Sequence, residues 1–188
     1  MTDRRWQNLT VACIASGPSL CADDCQLIEA AGVPAIAVNS SWKAARFAQV
    51  IYAGDPEWWH QYGKEIDIPA ERWTHNPNAA QALGIKANGK GSSVLNSGYR
   101  AIELAIELGA TRVLLLGYDC SVAAGTHWHG DHDKTKNPDA KRCAVWMNQF
   151  ARLDMRWAQV INCSRETSLT CFPRMSLDSA LLLPESSI

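Results

Sequence analysis

The run Ala101-Ile-Glu-Leu-Ala-Ile-Glu-Leu108, followed by Gly109-Ala110-Thr111 and then by Arg112-Val-Leu-Leu-Leu-Gly117-Tyr-Asp119, decides the fold. Ile102, Ala105 and Ile106 recur at helical spacing near one face, with Glu103 and Glu107 one turn apart on another, so the first half predicts an amphipathic helix. The second half is apolar without alternation from Val113 to Leu116, the pattern of a strand buried on both faces. A helix that passes through a glycine into a doubly buried strand is a crossover unit of a parallel sheet.

The same grammar repeats outward from this unit. Further strands are predicted at Thr10-Ala15, Ala35-Val38, Val50-Ala53 and Val160-Asn162, and helices at Ala22-Ala31, Ser41-Phe47, Ser97-Leu108 and Ala140-Ala158. Asn76-Ser93, rich in Asn, Gly, Ala and Ser, reads as the least regular segment, and Leu181-Ile188 as a frayed tail. The fold class expected is α/β, a three-layer sandwich with a mostly parallel central sheet, in one domain spanning 1–188.

Composition narrows the function classes. With 188 residues and 47% hydrophobic side chains the chain can bury a continuous core. Eighteen Lys and Arg against 19 Asp and Glu give a net charge of -1, which leaves no global basic field for nucleic acid or an anionic membrane. The apolar run Leu9-Ile14 is too brief for a signal segment or a membrane span, so the expected location is cytoplasmic. Seven cysteines, with no pair of C-x-x-C elements, read as free thiols in or near the core. Assembly into a homo-oligomer stays open at this level.

Ligands of open α/β sheets sit beyond the carboxyl ends of the strands. Here those ends carry Ser16-Gly17-Pro18-Ser19, Asn39-Ser40-Ser41, Gly54-Asp55-Pro56 and Gly117-Tyr118-Asp119, while Asn96-Ser97-Gly98 opens the crossover helix. Gly17 lets backbone approach a ligand, Pro18 is preset for a first helical turn and Ser19 adds a hydroxyl, so the first turn predicts a helix start that receives phosphate. Neither G-x-G-x-x-G nor G-x-x-x-x-G-K-[ST] occurs, which excludes the usual NAD dehydrogenase and P-loop NTPase fingerprints. Asn88-Gly-Lys-Gly-Ser-Ser93 would contribute Lys90 as a cation over a phosphate.

Two blocks resemble known families. Ile14-Ala-Ser-Gly-Pro-Ser-Leu20 with Val38-Asn39, and Asn96-Ser-Gly98 followed by a helix and Ala110-Thr-Arg-Val-Leu-Leu-Leu-Gly-Tyr-Asp119, are similar to the small Rossmann-like bacterial CMP-sialic-acid-dependent sialyltransferases and to the archaeal-type 6-hydroxymethylpterin diphosphokinases. Asn162-Cys-Ser164 through Phe172-Pro173 resembles their closing strand and loop. The resemblance implies a nucleotide or nucleotide-activated small molecule at Gly17, Pro18, Ser19, Asn39, Asp55, Asn96, Ser97, Gly98, Gly117 and Asp119. Asp55 stands where the sialyltransferases carry Asn.

Thr126-His127-Trp128-His129-Gly130-Asp131-His132-Asp133 holds three of the chain's five histidines. Within the sialyltransferase resemblance a loop histidine after the Gly-x-Asp strand is the general base toward the acceptor hydroxyl, and His129 and His132 both fit, with Asp131 or Asp133 to orient the imidazole. That reading needs no cofactor. The diphosphokinase resemblance instead implies ATP with magnesium held by Asp55 and Asp119, joined by Asp131 or Asp133. A third reading is a catalytically silent nucleotide-binding protein. A fourth takes His127, His129, Asp131 and His132 as ligands of zinc in a hydrolase, because H-x-H-x-D-H fits the metallo-β-lactamase pattern, although no histidine follows His132 to complete that set. Lys134, Lys136, Lys141 and Arg142 would offset phosphate charge, Trp146 and Trp157 would pack in the core, and Trp58, Trp59 and Trp128 offer stacking faces.

Overall fold

The computed structural model describes residues 4–89 and 95–184. Seven parallel strands form one sheet in the order β5-β4-β3-β2-β1-β6-β7: β1 (Thr10–Ile14), β2 (Ala35–Val38), β3 (Val50–Tyr52), β4 (Glu71–Thr74), β5 (Lys86–Ala87), β6 (Arg112–Leu116) and β7 (Gln159–Asn162). The helices are α1 (Ala22–Ala30), α2 (Pro56–Tyr62), α3 (Pro77–Leu83), α4 (Ser97–Glu107), α5 (Ala140–Phe150) and α6 (Leu177–Leu181). This is the Rossmann-like α/β sandwich expected, and the sheet is wholly parallel.

Period-2 alternation assigns the two layers. Val11, Cys13, Ile36, Val38, Val113 and Leu115 point into one core with Ile102, Ala105 and Ile106 of α4 and Phe150 of α5. Ala12, Ile14, Ala35, Ala37, Leu114 and Leu116 point into the other, against Ile28 of α1, Trp58 and Trp59 of α2 and Leu177 of α6. All five residues of β6 are buried, because both faces are covered. Strand order grows away from β1 through β2 to β5, then α4 crosses back and β6 pairs on the other side of β1. The loops after β1 and β6 therefore diverge, and the crevice between them is the topological switch point.

Several boundaries differ from expectation. Ser41-Phe47 is a 3-10 turn at Asn39–Lys43. The helix from Ala140 stops at Phe150 rather than Ala158, because the chain must turn into β7: Arg156 takes φ 50° and its N–H is accepted by Asp154 Oδ1 at 3.1 Å. Trp157 consequently lies at the surface, 39% exposed, beneath Arg4 and Arg156, instead of in the core with Trp146. The segment read as irregular contains α3 and β5, while Lys90 lies outside the described residues. At the far end Leu181 closes α6, and the carbonyls of Leu183 and Pro184 accept from the Arg112 guanidinium, tying 181–184 to the sheet. No helix among the described residues is long and apolar enough to cross a membrane. All seven cysteines are free thiols; burial pushes Cys120 and Cys163 up to about 12.

Strand β4 sits near the sheet edge and is fastened by charge. Glu71 accepts from Arg5 at 2.6 Å, Lys86 at 2.7 Å and the Trp73 indole at 2.9 Å, which holds its carboxyl well below the usual carboxylate range. A folded-state pKa below the unfolded value contributes stability above ~4.3 that is lost as pH falls through the folded value. Glu71→Gln is expected to cost about 1 kcal/mol at pH 7, a figure already reduced for solvent screening. In urea titrations its difference from wild type should shrink below pH ~4; a pH-independent difference would locate the effect in packing.

Candidate functional site

The loop after β1 does not start a helix at Pro18; α1 begins at Ala22. Ser16–Leu20 forms a tight turn, with Leu20 N–H donating to Gly17 C=O at 3.1 Å, and folds against the loop after β6. Gly17 N–H donates to Gly117 C=O at 2.9 Å. Both carboxylate oxygens of Asp119 accept from Ser19, one from its N–H at 2.8 Å and one from its hydroxyl at 2.7 Å. Burial nonetheless raises the Asp119 pKa. A Cβ on Gly17 would meet the Asp119 carboxylate and lie 2.5 Å from the Gly117 carbonyl oxygen. Ser19 and Asp119 thus serve as a clamp between the two loops, and Pro18 and Ser19 lie off the crevice wall.

The closing segment braces the same junction. Ser164 Oγ accepts from Tyr118 N–H at 2.8 Å, Thr167 Oγ1 donates to Tyr118 C=O at 2.7 Å, and Ser168 N–H donates to Asp119 C=O at 2.7 Å.

Beyond these strand ends lies a crevice of about 910 Å³, within the range of small-molecule sites. Asn39, Asp55, Asn96, Ser97, Gly98, Gly17, Gly117 and Asp119 all line it, so eight of the ten predicted nucleotide-site positions converge there. Much of their capacity is already used. Asp55 Oδ1 caps α2 by accepting from Glu57 N–H at 2.9 Å, Asn96 Oδ1 caps α4 by accepting from Tyr99 N–H at 2.8 Å, and Ser97 Oγ accepts from Gly54 N–H at 3.0 Å. Among these eight residues two buried atoms have no partner: Asn39 Oδ1 and Asn96 Nδ2. Asn39 sits at φ 50°, in the left-handed region that Asn tolerates.

The opposite wall is the long connection 117–139, of the length at which loops usually carry function. It docks on the β1 loop through Trp128 N–H to Ser16 C=O at 3.0 Å, and a hydrogen bond joins Ser16 Oγ and His127 Nδ1 at 2.9 Å. His127 and His132 line the crevice with Lys134, Lys136 and Arg142, whereas His129 and Lys141 are not on its wall. The rings of His127, His129 and His132 lie mutually 4.6–5.2 Å apart, centroid to centroid. Asp131 is turned to Thr126, whose hydroxyl it accepts, and Asp133 accepts from Tyr62 OH at 3.1 Å. The partner that fixes an imidazole is therefore Ser16 rather than an aspartate.

Burial, with His132 and His129 adjacent, lowers His127 to about 4. His129 is lowered by burial and by Lys43, and His132 by burial and by His129. All three imidazoles are neutral at pH 7 and offer lone pairs.

Sequence reasoning assigned no role to His75 or Tyr62, and took Ser16 as part of the phosphate-receiving turn without its bond to His127. His75 follows β4, is buried at 3% exposure, lines the crevice beside Gly54, and has its pKa lowered first by burial and then by Arg100. The signal was Asn76-Pro77, a cap that fixes where the chain after β4 turns. Trp58 and Trp59 are core residues, the latter donating its indole N–H to Ala53 C=O at 2.9 Å. Among the described residues no converging set of three metal-ligating side chains includes Asp55 or Asp119. No family model, curated protein or solved structure matches the chain.

Proposed function

We propose that the protein is a transferase that binds a nucleotide-activated donor in the switch-point crevice and uses its histidine loop to activate an acceptor hydroxyl. The observation that supports it is that one crevice is lined both by Asn39 and Asn96, which have unpartnered buried atoms, and by His127 and His132 among Lys134, Lys136 and Arg142. Such a crevice offers hydrogen bonds to a base or sugar, cations to phosphates and a proton acceptor to the nucleophile. His132 is better placed than His129 for the last role, since it borders the crevice.

The diphosphokinase reading is less well supported, because both oxygens of Asp119 already accept from Ser19 and no converging set of three metal-ligating side chains among the described residues includes Asp55 or Asp119. Thermal shift against CMP, CMP-sugars, UDP-sugars and ATP with magnesium tests the proposal. A donor at one hundred times its Kd contributes about 2.7 kcal/mol, a rise in Tm of roughly 5–10 °C at this chain length. Stabilisation by a nucleotide-sugar above the bare nucleotide is the expected result; no shift with any of them removes it.

A further inference from the structure

We propose that His127, His129 and His132 form a site for one divalent transition-metal ion, zinc foremost, at the rim of the crevice. Each histidine offers one ring nitrogen, and the three ligand atoms lie within 4.8 Å of one another. A tetrahedral zinc with nitrogen ligands at 2.0–2.1 Å brings them to about 3.3 Å, a displacement that side-chain rotation supplies. Among the described residues this is the single converging group of three or more metal-ligating side chains.

The cluster has a polar deficit that an ion removes. His127 Nε2 and His129 Nε2 are buried without a hydrogen-bond partner. Unmade hydrogen bonds at buried nitrogens are costly, and neighbouring imidazoles that present lone pairs to one another cannot satisfy them. In the tautomer that protonates His127 Nδ1, that nitrogen donates to Ser16 Oγ and leaves the lone pair on Nε2, the arrangement by which metal-bound histidines are usually oriented.

The loop is also held in place at each ligand. Gly130, at φ 84°, donates its N–H to His127 C=O at 3.1 Å and closes the turn that carries His129. The Asn137 side chain accepts from His132 N–H at 2.8 Å and donates to His132 C=O at 3.0 Å. The Tyr62 ring packs 5.4 Å from the His132 ring. A ligand set with backbone fixed by independent contacts loses little entropy on binding.

Three neutral imidazoles select zinc and its transition-metal neighbours over magnesium or calcium, which take oxygen ligands. Three protein ligands leave a coordination position open, as in catalytic zinc sites, and His127 and His132 border the crevice. The metal site stands on the loop alone. Its use rests on the transferase reading and makes the histidines ligands instead of a base: an acceptor hydroxyl at the open position gives up its proton to solvent water, and its oxygen bonds to the donor group as the bond from that group to the nucleotide phosphate breaks and the nucleotide leaves.

Chelator-treated protein, free of nucleotide, is titrated with zinc by calorimetry and with Co(II) by visible absorption. The expected result is one zinc per chain, weakened about 100-fold in His129→Ala and about 10-fold in Ser16→Ala, which loses only the hydrogen bond to His127. His60→Ala, on the exposed side of α2, should bind as wild type. Equal zinc binding by a chain with all three loop histidines replaced by alanine, or magnesium binding as tight as zinc, overturns the site. Should a histidine variant fail to fold, the wild-type Co(II) spectrum decides. Intense tetrahedral bands without thiolate charge transfer support the three imidazoles, while weak octahedral bands or thiolate charge transfer contradict them. Nucleotide shifts measured on the chelated protein keep the failure of the transferase reading separate.

Discussion

Gly117→Ala is expected to lower stability by about 2–4 kcal/mol, the sum of left-handed strain and overpacking. At this chain length that is a fall in Tm of roughly 5–15 °C. Gly117 lies at φ 67°, and a Cβ there would stand 2.5 Å from the Ala15 carbonyl oxygen and 3.2 Å from Leu20 Cβ. Neither neighbour is a flexible side-chain end. Ala15 N–H donates to Leu116 C=O at 2.8 Å, so the backbone that must yield is the β1–β6 pairing itself. Gly84 provides the matched control. Its φ is 65°, and nothing lies within 4 Å of its Cβ position, so Gly84→Ala carries strain alone, about 1 kcal/mol. Thermal melts of the two variants separate the terms; equal losses would mean that the strand ends part without cost. The larger loss should come with weaker binding of whatever nucleotide stabilises the wild type, because Gly17, Gly117 and Asp119 together form the crevice wall.

The sequence was legible where burial dictates composition. Arg112–Leu116 and Thr10–Ile14 read as strands because sheet centres covered on both faces admit only apolar runs. Glu71–Thr74 and Lys86–Ala87 did not, because an edge is held by ion pairs and short pairing, which leave no apolar pattern to find. Helix α3 fell in the segment read as irregular, because its only signal is punctuation instead of periodicity: Asn76 at the N-cap, Pro77 at the first turn and Gly84 beyond the end, at positive φ. Strand-end residues were found as a set, since topology alone brings them together. What each does was not visible, because Ser19 bonding Asp119 across 100 positions of chain and Ser16 bonding His127 across 111 depend on how two loops cross. A helix-start reading of Gly17-Pro18-Ser19 thus turned into a loop clamp, and the cations that border the crevice, Lys134, Lys136 and Arg142, come from the connection after β6 and the start of α5.

Asn39→Asp is expected to weaken donor binding about 10-fold while the chain still folds. The substitution conserves volume, and Asp tolerates the left-handed backbone that Asn39 adopts at φ 50°, so the loss of stability should be confined to about 1–2 kcal/mol for an unpaired carboxylate at a partly buried site. Its effect is a charge added to the crevice wall opposite the histidine loop, at the buried Oδ1 that lacks a partner. A carboxylate about 10 Å from a phosphate held by Lys134, Lys136 and Arg142 repels it by roughly 1.7 kcal/mol at an effective dielectric near 20, of which screening by those cations removes a part. Calorimetric Kd values for the stabilising nucleotide-sugar, taken at low and high salt, measure this directly, and the difference between variant and wild type should narrow as salt rises. Asn8→Asp is the control: Asn8 also occupies positive φ, at 65°, but does not border the crevice, and its affinity should match wild type. An unchanged Kd in Asn39→Asp would move the anionic part of the donor away from β2 and toward the β1–β6 junction. A loss in both variants would mean that net charge, rather than the crevice, sets the affinity.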